Sequence, residues 1–97
     1  MSAASVEVLG EGRFAVRGSL RFETVPALWR ETRALFRDAS GLSLDLAAVT
    51  EVDSAGLALL IEWMREARRR GLAIHFLNMP GQMQTLARVS GLEGRLP

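Results

Sequence analysis

Three apolar–polar alternations, each followed by a run with helical spacing, limit sharply how this chain can fold. In FAVRGSL, Phe14, Val16, Gly18 and Leu20 share one face of a strand, and Ala15, Arg17 and Ser19 share the other. In LSLDLA, Leu42, Leu44 and Leu46 oppose Ser43 and Asp45, and in LAIHFLN, Leu72, Ile74 and Phe76 line one side. Strands buried on both faces read as continuous apolar runs, so strict alternation means one covered face and one partly wet face. After the first of these strands, Val25, Leu28, Trp29, Thr32, Leu35 and Phe36 follow helical spacing, with Pro26 in the first turn, where a missing N–H costs nothing. A second helix is expected from about Ser54 to Arg70, ending at a Gly71 C-cap. A third should run from Pro80 to Ser90 with Met83, Leu86 and Val89 inward, and the tail EGRLP carries no usable pattern.

A further strand, in VEVLG, precedes the others across a turn at Gly10 to Gly12, so the order is ββαβαβα. Strands alternating with helices pair in parallel through right-handed crossovers. If each strand lies beside the previous one, those crossovers all move in one direction and the helices land on one face. Connection rule and alternation agree on an α/β fold: a mixed four-stranded sheet in sequential order, its first strand antiparallel at the edge, with helices mainly on one side. At 97 residues and 48 % apolar, the chain suits a single domain, 1–97, with one core.

The residue types that are missing narrow the function. With no Cys and one His, disulfides, thiol chemistry and the common zinc sites are not expected. All twelve basic residues are Arg, so a phosphate-binding P-loop lysine or a Schiff base is excluded. No cofactor is expected. Arg65, Arg68, Arg69 and Arg70 are interspersed with Glu62 and Glu66 on a helix, a pattern that a solvated face explains, so nucleic acid is not an expected partner. MSAASVEVLG lacks a charged start and a long apolar run, and GLALLI is too short to span a bilayer, so the expectation is a cytoplasmic domain without direct membrane insertion.

Arg17, Asp45 and His75 should point to the open face of neighbouring strands, forming a stabilising cross-strand row. The competing use is an Asp45–His75 pair serving Ser54 as a nucleophile, which would need all three around a pocket. On the second helix, Leu57, Leu60, Ile61, Met64 and Ala67 form the stripe expected to face the sheet, and Glu62, Arg65, Glu66 and Arg69 fall outside it. Leu59 and Trp63 fit neither group and are expected on a partner-binding surface, since Trp is enriched among interface anchors. At the helix start, Asp53 and Ser54 are both good N-caps. Ala55 and Gly56 are small enough to let another backbone approach, and the positive helix end could hold a phosphate on Ser54.

LSLDLAAVTEVDSAGLALLIEWMREARRRG resembles the core of the STAS domain family, the fold of bacterial anti-sigma-factor antagonists. The family pattern is a strand with Asp-Leu, a short loop, Asp-Ser/Thr-small-Gly, and a Leu-rich helix. Asp45-Leu46 and Asp53-Ser54-Ala55-Gly56 occupy those positions. Within the family, PALWRETRALF, GLALLIEWMREARRRG and TLARVSGLEGRLP look most like the small cytoplasmic STAS subunits of phospholipid ABC transporters. The chain also stops soon after Gly91-Leu92, where sigma-regulatory relatives continue into another helix. The resemblance implies a non-catalytic subunit that binds and supports the ATPase of such a transporter, in complex with its permease. It would lie at the inner membrane through that partner and help maintain outer-membrane lipid asymmetry. The implied partner surface comprises Asp53, Ser54, Ala55, Gly56, Leu59 and Trp63. In sigma-factor antagonists the matching Ser is phosphorylated by a partner kinase. In the transporter subunits the hydroxyl is commonly Thr and lies at the ATPase contact. Ser54 therefore keeps both roles open.

Overall fold

In the computed structural model, which describes residues 3–92, the expected order appears: β1 (Ser5–Gly10), β2 (Arg13–Leu20), α1 (Val25–Leu35), β3 (Leu42–Val52), α2 (Ser54–Arg70), β4 (Ile74–Leu77) and α3 (Gly81–Val89). A 3-10 turn, Phe36–Asp38, prolongs α1. The sheet runs β1-β2-β3-β4, with β1 antiparallel to β2 and the remaining pairs parallel. The patternless tail, 93–97, lies outside the described residues.

Phe14, Val16 and Leu20 of β2 and Leu42, Leu44 and Leu46 of β3 are buried together with Leu28 of α1, Leu60 and Trp63 of α2 and Met83 of α3. The helices thus cover the apolar face that the alternation marks. At the core centre an aromatic chain runs from Phe14 to Phe36 (ring centroids 5.0 Å apart), on to Trp63 (6.2 Å) and to Phe76 (6.4 Å).

β3 is longer than LSLDLA because it carries two irregularities. Asp45 lies opposite Ala15 but Ala48 opposite Arg17, and Val49 lies opposite Gly18 but Glu51 opposite Ser19. Each is an extra residue on β3, so the buried positions become Leu46, Val49 and Val52 and the period of two is lost. Asp45 holds the first bulge: its Oδ1 accepts the Ala47 N–H at 2.9 Å and the Asn78 side-chain amide at 3.1 Å.

The expected Arg17–Asp45–His75 row does not form across the strands. Asp45 lies opposite Ala15 and Leu77, Arg17 opposite Ala48, and His75 opposite Ser43. Arg17 pairs instead with Glu7 on the edge strand. The bulge sets the three out of register, although the Arg17 charge still reaches the Asp45 carboxyl.

The expected stripe of α2 is rotated. Its buried residues are Gly56, Leu57, Leu59, Leu60, Trp63, Glu66 and Ala67, while Ile61 and Met64 are only half-buried and line a shallow groove beside Leu72 and Ile74. Leu59 is 1 % exposed and Trp63 0 %, so neither belongs to a partner-binding surface. The side of α2 that carries them packs toward α1, where the Trp63 Nε1–H donates to the Thr32 hydroxyl at 2.8 Å. In α3, Met83 and Ala87 face inward, whereas Val89, expected inside, is 79 % exposed.

Candidate functional site at the start of the second helix

The β3–α2 junction is built by Asp53. Its backbone is extended, and its Oδ1 accepts the Ala55 N–H at 2.8 Å, which is the side-chain cap of α2. Its Oδ2 accepts the Phe22 N–H at 3.1 Å, and its own N–H donates to the Leu20 carbonyl at 3.1 Å. One carboxylate therefore ties the helix start to the loop that leaves β2. That loop is closed at its other end by Thr24, whose hydroxyl donates to the Ser19 carbonyl at 2.6 Å and accepts the Arg21 N–H at 3.0 Å. Arg21 and Glu51 pair at 3.5 Å along its rim.

Ser54 is exposed at the first position of this 17-residue helix, and its hydroxyl has no partner among the described residues. It projects from the positive end of the helix dipole, which favours a nearby anion or an acceptor from another molecule. Ala55 is half-buried and the following Ala58 is exposed. Gly56 does not serve an outside approach. It is buried, and a Cβ there would lie 2.7 Å from the Leu20 carbonyl oxygen and collide with Val52. The close backbone that requires this glycine is the chain's own β2.

One residue of this surface lies outside the sequence-predicted set. Phe22 is 78 % exposed, while Phe14, Phe36 and Trp63 lie in the core and Phe76 packs half-buried against it. The Asp53 bond fixes its backbone beside the helix start. A signal was available in RFETVP, an aromatic among polar residues at a loop, but nothing local tied it to position 53.

The three groups of a hydrolytic site are not brought together. His75 lies opposite Ser43 and Ser54 follows the far end of β3; that length of sheet matches the seven-residue step from Arg13 to Leu20 on β2, so roughly 23 Å separates them. Asp45 is occupied by the bulge and by Asn78.

The comparisons bear on this junction. The family model described as "Mlab, STAS domain" matches residues 5–97. The MlaB binding protein of the intermembrane phospholipid transport system of Haemophilus influenzae is 31 % identical over 80 residues, covering 77 % of this chain and 75 % of that protein. Among solved structures, an anti-sigma factor antagonist from Mycobacterium paratuberculosis superposes with a TM-score of 0.77 at 23 % identity, over 100 % of this chain and 84 % of that one. The unphosphorylated anti-sigma factor antagonist SpoIIAA gives 0.76 at 20 % identity, over 98 % and 86 %. At such identities the two structures establish the fold alone. The sequence match, the sheet order and the Asp53-Ser54-Ala55-Gly56 junction converge on one assignment: this chain belongs to the STAS domain family and is close to MlaB.

Proposed function

We propose that this protein is a non-catalytic subunit of a phospholipid-transporting ABC system, docking on the ATPase subunit beside its permease and supporting its activity. The reading rests on the relationship to MlaB, and the observation that carries it is the pairing of exposed Ser54 with exposed Phe22 at a junction held rigid by Asp53. An exposed aromatic anchor and a hydroxyl without a partner among the described residues, on a preorganised junction, suit a protein contact better than a small-molecule pocket. Ser54 would sit at the centre of the contact, Ala55 and Ala58 would keep its approach low, and Asp53 and Gly56 would hold the patch from beneath. The protein would then act in the cytoplasm, peripheral to the inner membrane through its partner.

The test is affinity purification of the tagged chain from its native host. An ABC ATPase and its permease should co-purify. Ser54→Arg and Phe22→Ser should each release them, with unchanged thermal melting of the isolated chain. Retention of the ATPase by both variants removes this patch from the interface.

A second reading is favoured by the exposed Ser54 hydroxyl at a helix N-terminus: phosphorylation there by a partner kinase, as part of an anti-sigma-factor switch. It expects a gain of a single phosphate on Ser54 when the chain meets its kinase and ATP. An unchanged intact mass counts against it.

A further inference from the structure

Away from the α2 start, α1 with its 3-10 extension and α2 border an open cleft of about 490 Å³ whose polar lining is Arg30, Arg33, Arg37, Arg69, Arg70 and Glu66. Five of the chain's twelve basic residues meet there, in a protein whose formal net charge is only +1. Arg30, Arg33 and Arg37 recur at helical spacing on one side, and none of them has an acidic partner among the described residues. Glu31 and Asp38 belong to the same segment but do not line the cleft. The one acid on its wall, Glu66, is 3 % exposed and already bonded by Arg69 and Arg70. Glu66 thus acts as a post: it aims Arg70, which also donates to the Phe36 carbonyl at 2.7 Å. Arg33 is steadied against the Trp29 ring, 5.6 Å from its centroid.

The chemistry of such a wall is specific. Guanidinium forks match the paired oxygens of phosphate, and several of them around one space favour a multiply charged anion. Ala34 is the one apolar side chain on the wall, so a docking peptide would find no pocket for an anchor. A discrete phosphate needs none. We propose that the α1–α2 cleft binds a phosphate-bearing anion, either a soluble phosphate ester or the headgroup of an anionic phospholipid.

The test uses the full chain at low salt with pyrophosphate in calorimetry and with phosphatidylglycerol vesicles in co-sedimentation, against phosphatidylcholine vesicles. The probe variant is Arg30→Gln with Arg37→Gln, since neither side chain makes a bond or ion pair among the described residues. Arg13→Gln, on β2 and outside the cleft lining, is the control. Saturable pyrophosphate binding that the double variant weakens about tenfold or more, and the control leaves intact, supports the site and assigns it to a soluble ester. Retention on anionic vesicles that depends on Arg30 and Arg37 supports it and assigns it to a headgroup. Binding to neither probe overturns the proposal, as does an equal loss in Arg13→Gln. Tighter binding of a hexaglutamate peptide than of pyrophosphate also overturns it, because the occupant would then be an acidic protein segment.

Discussion

At the scale of single residues, several side chains do a different job from the one their type suggests. Trp63 looks like an interface anchor but is a core residue whose indole N–H is satisfied inside by Thr32. Thr32→Val would leave that N–H buried without an acceptor, at a cost of about 1–3 kcal/mol. Adding Trp63→Phe removes the orphan donor. The double variant should therefore lose less stability than the two single losses summed, which a double-mutant cycle on denaturant midpoints measures. Gly56 likewise looks like a clearance for a partner but is a clearance for Leu20. Gly56→Ala should destabilise the fold by about 1–3 kcal/mol, as overpacking against fixed backbone does. Chemical denaturation of the isolated chain is sufficient to see it, with no partner present.

At the scale of elements, the Asp53 carboxylate joins two pieces that are 31 residues apart in sequence, capping α2 with one oxygen and holding the β2–α1 loop with the other. Asp53→Ala should cost about 1–2 kcal/mol, in the range of a lost N-cap. Its more particular mark is coupled: hydrogen exchange of the Ala55 and Phe22 amides should rise together. Protection of Phe22 that survives the substitution would show that Thr24 alone holds the loop. The ends of α2 and α3 follow one rule. Gly71 and Gly91 adopt left-handed φ values of 71° and 75°, and the leucine after each donates back to a carbonyl of the last turn, Leu72 to Ala67 and Leu92 to Ala87, both at 2.8 Å. The Gly71 stop is legible because glycine at the end of a helical run is a local signal. The buried arc of α2 was only half legible. Spacing shows that a helix has an apolar side, but the flank that is covered depends on where α1 packs, and α1 lies some 30 residues away in the chain.

At the scale of the whole molecule, two carboxylates link stability to pH. Bonds from the Ala47 N–H and then the Asn78 amide hold Asp45 below the ordinary carboxylate range, against a smaller opposing effect of burial, and the Arg17 charge adds to them. For Glu66, burial alone would raise the pKa, but the bonds and charges of Arg69 and Arg70 outweigh it and the net direction is down. Groups lowered in the folded state stabilise it fully above their unfolded pKa, and that contribution disappears as pH falls through the folded value. The melting temperature should therefore be flat with respect to these groups near neutrality and fall below about pH 4. Asp45→Asn and Glu66→Gln should each lower the melting temperature at pH 7 and reduce its dependence on acid. An acid limb of unchanged steepness in both variants would place the responsible carboxylates elsewhere.

The element order, the covered face of the sheet, the order of its strands and the Gly71 stop of α2 were legible in the sequence, because these follow from local periodicity, an end signal and the handedness of crossovers. The sequence also marked the Asp53-Ser54-Ala55-Gly56 junction as the place to look. Only the packing shows that Leu59 and Trp63 are core, that Asp45 serves a bulge, that Gly56 faces Leu20 and that the Phe22 backbone is tied to the start of α2. Each of these depends on which distant segment packs against the residue, and a chain's local pattern carries no record of its neighbours across the fold.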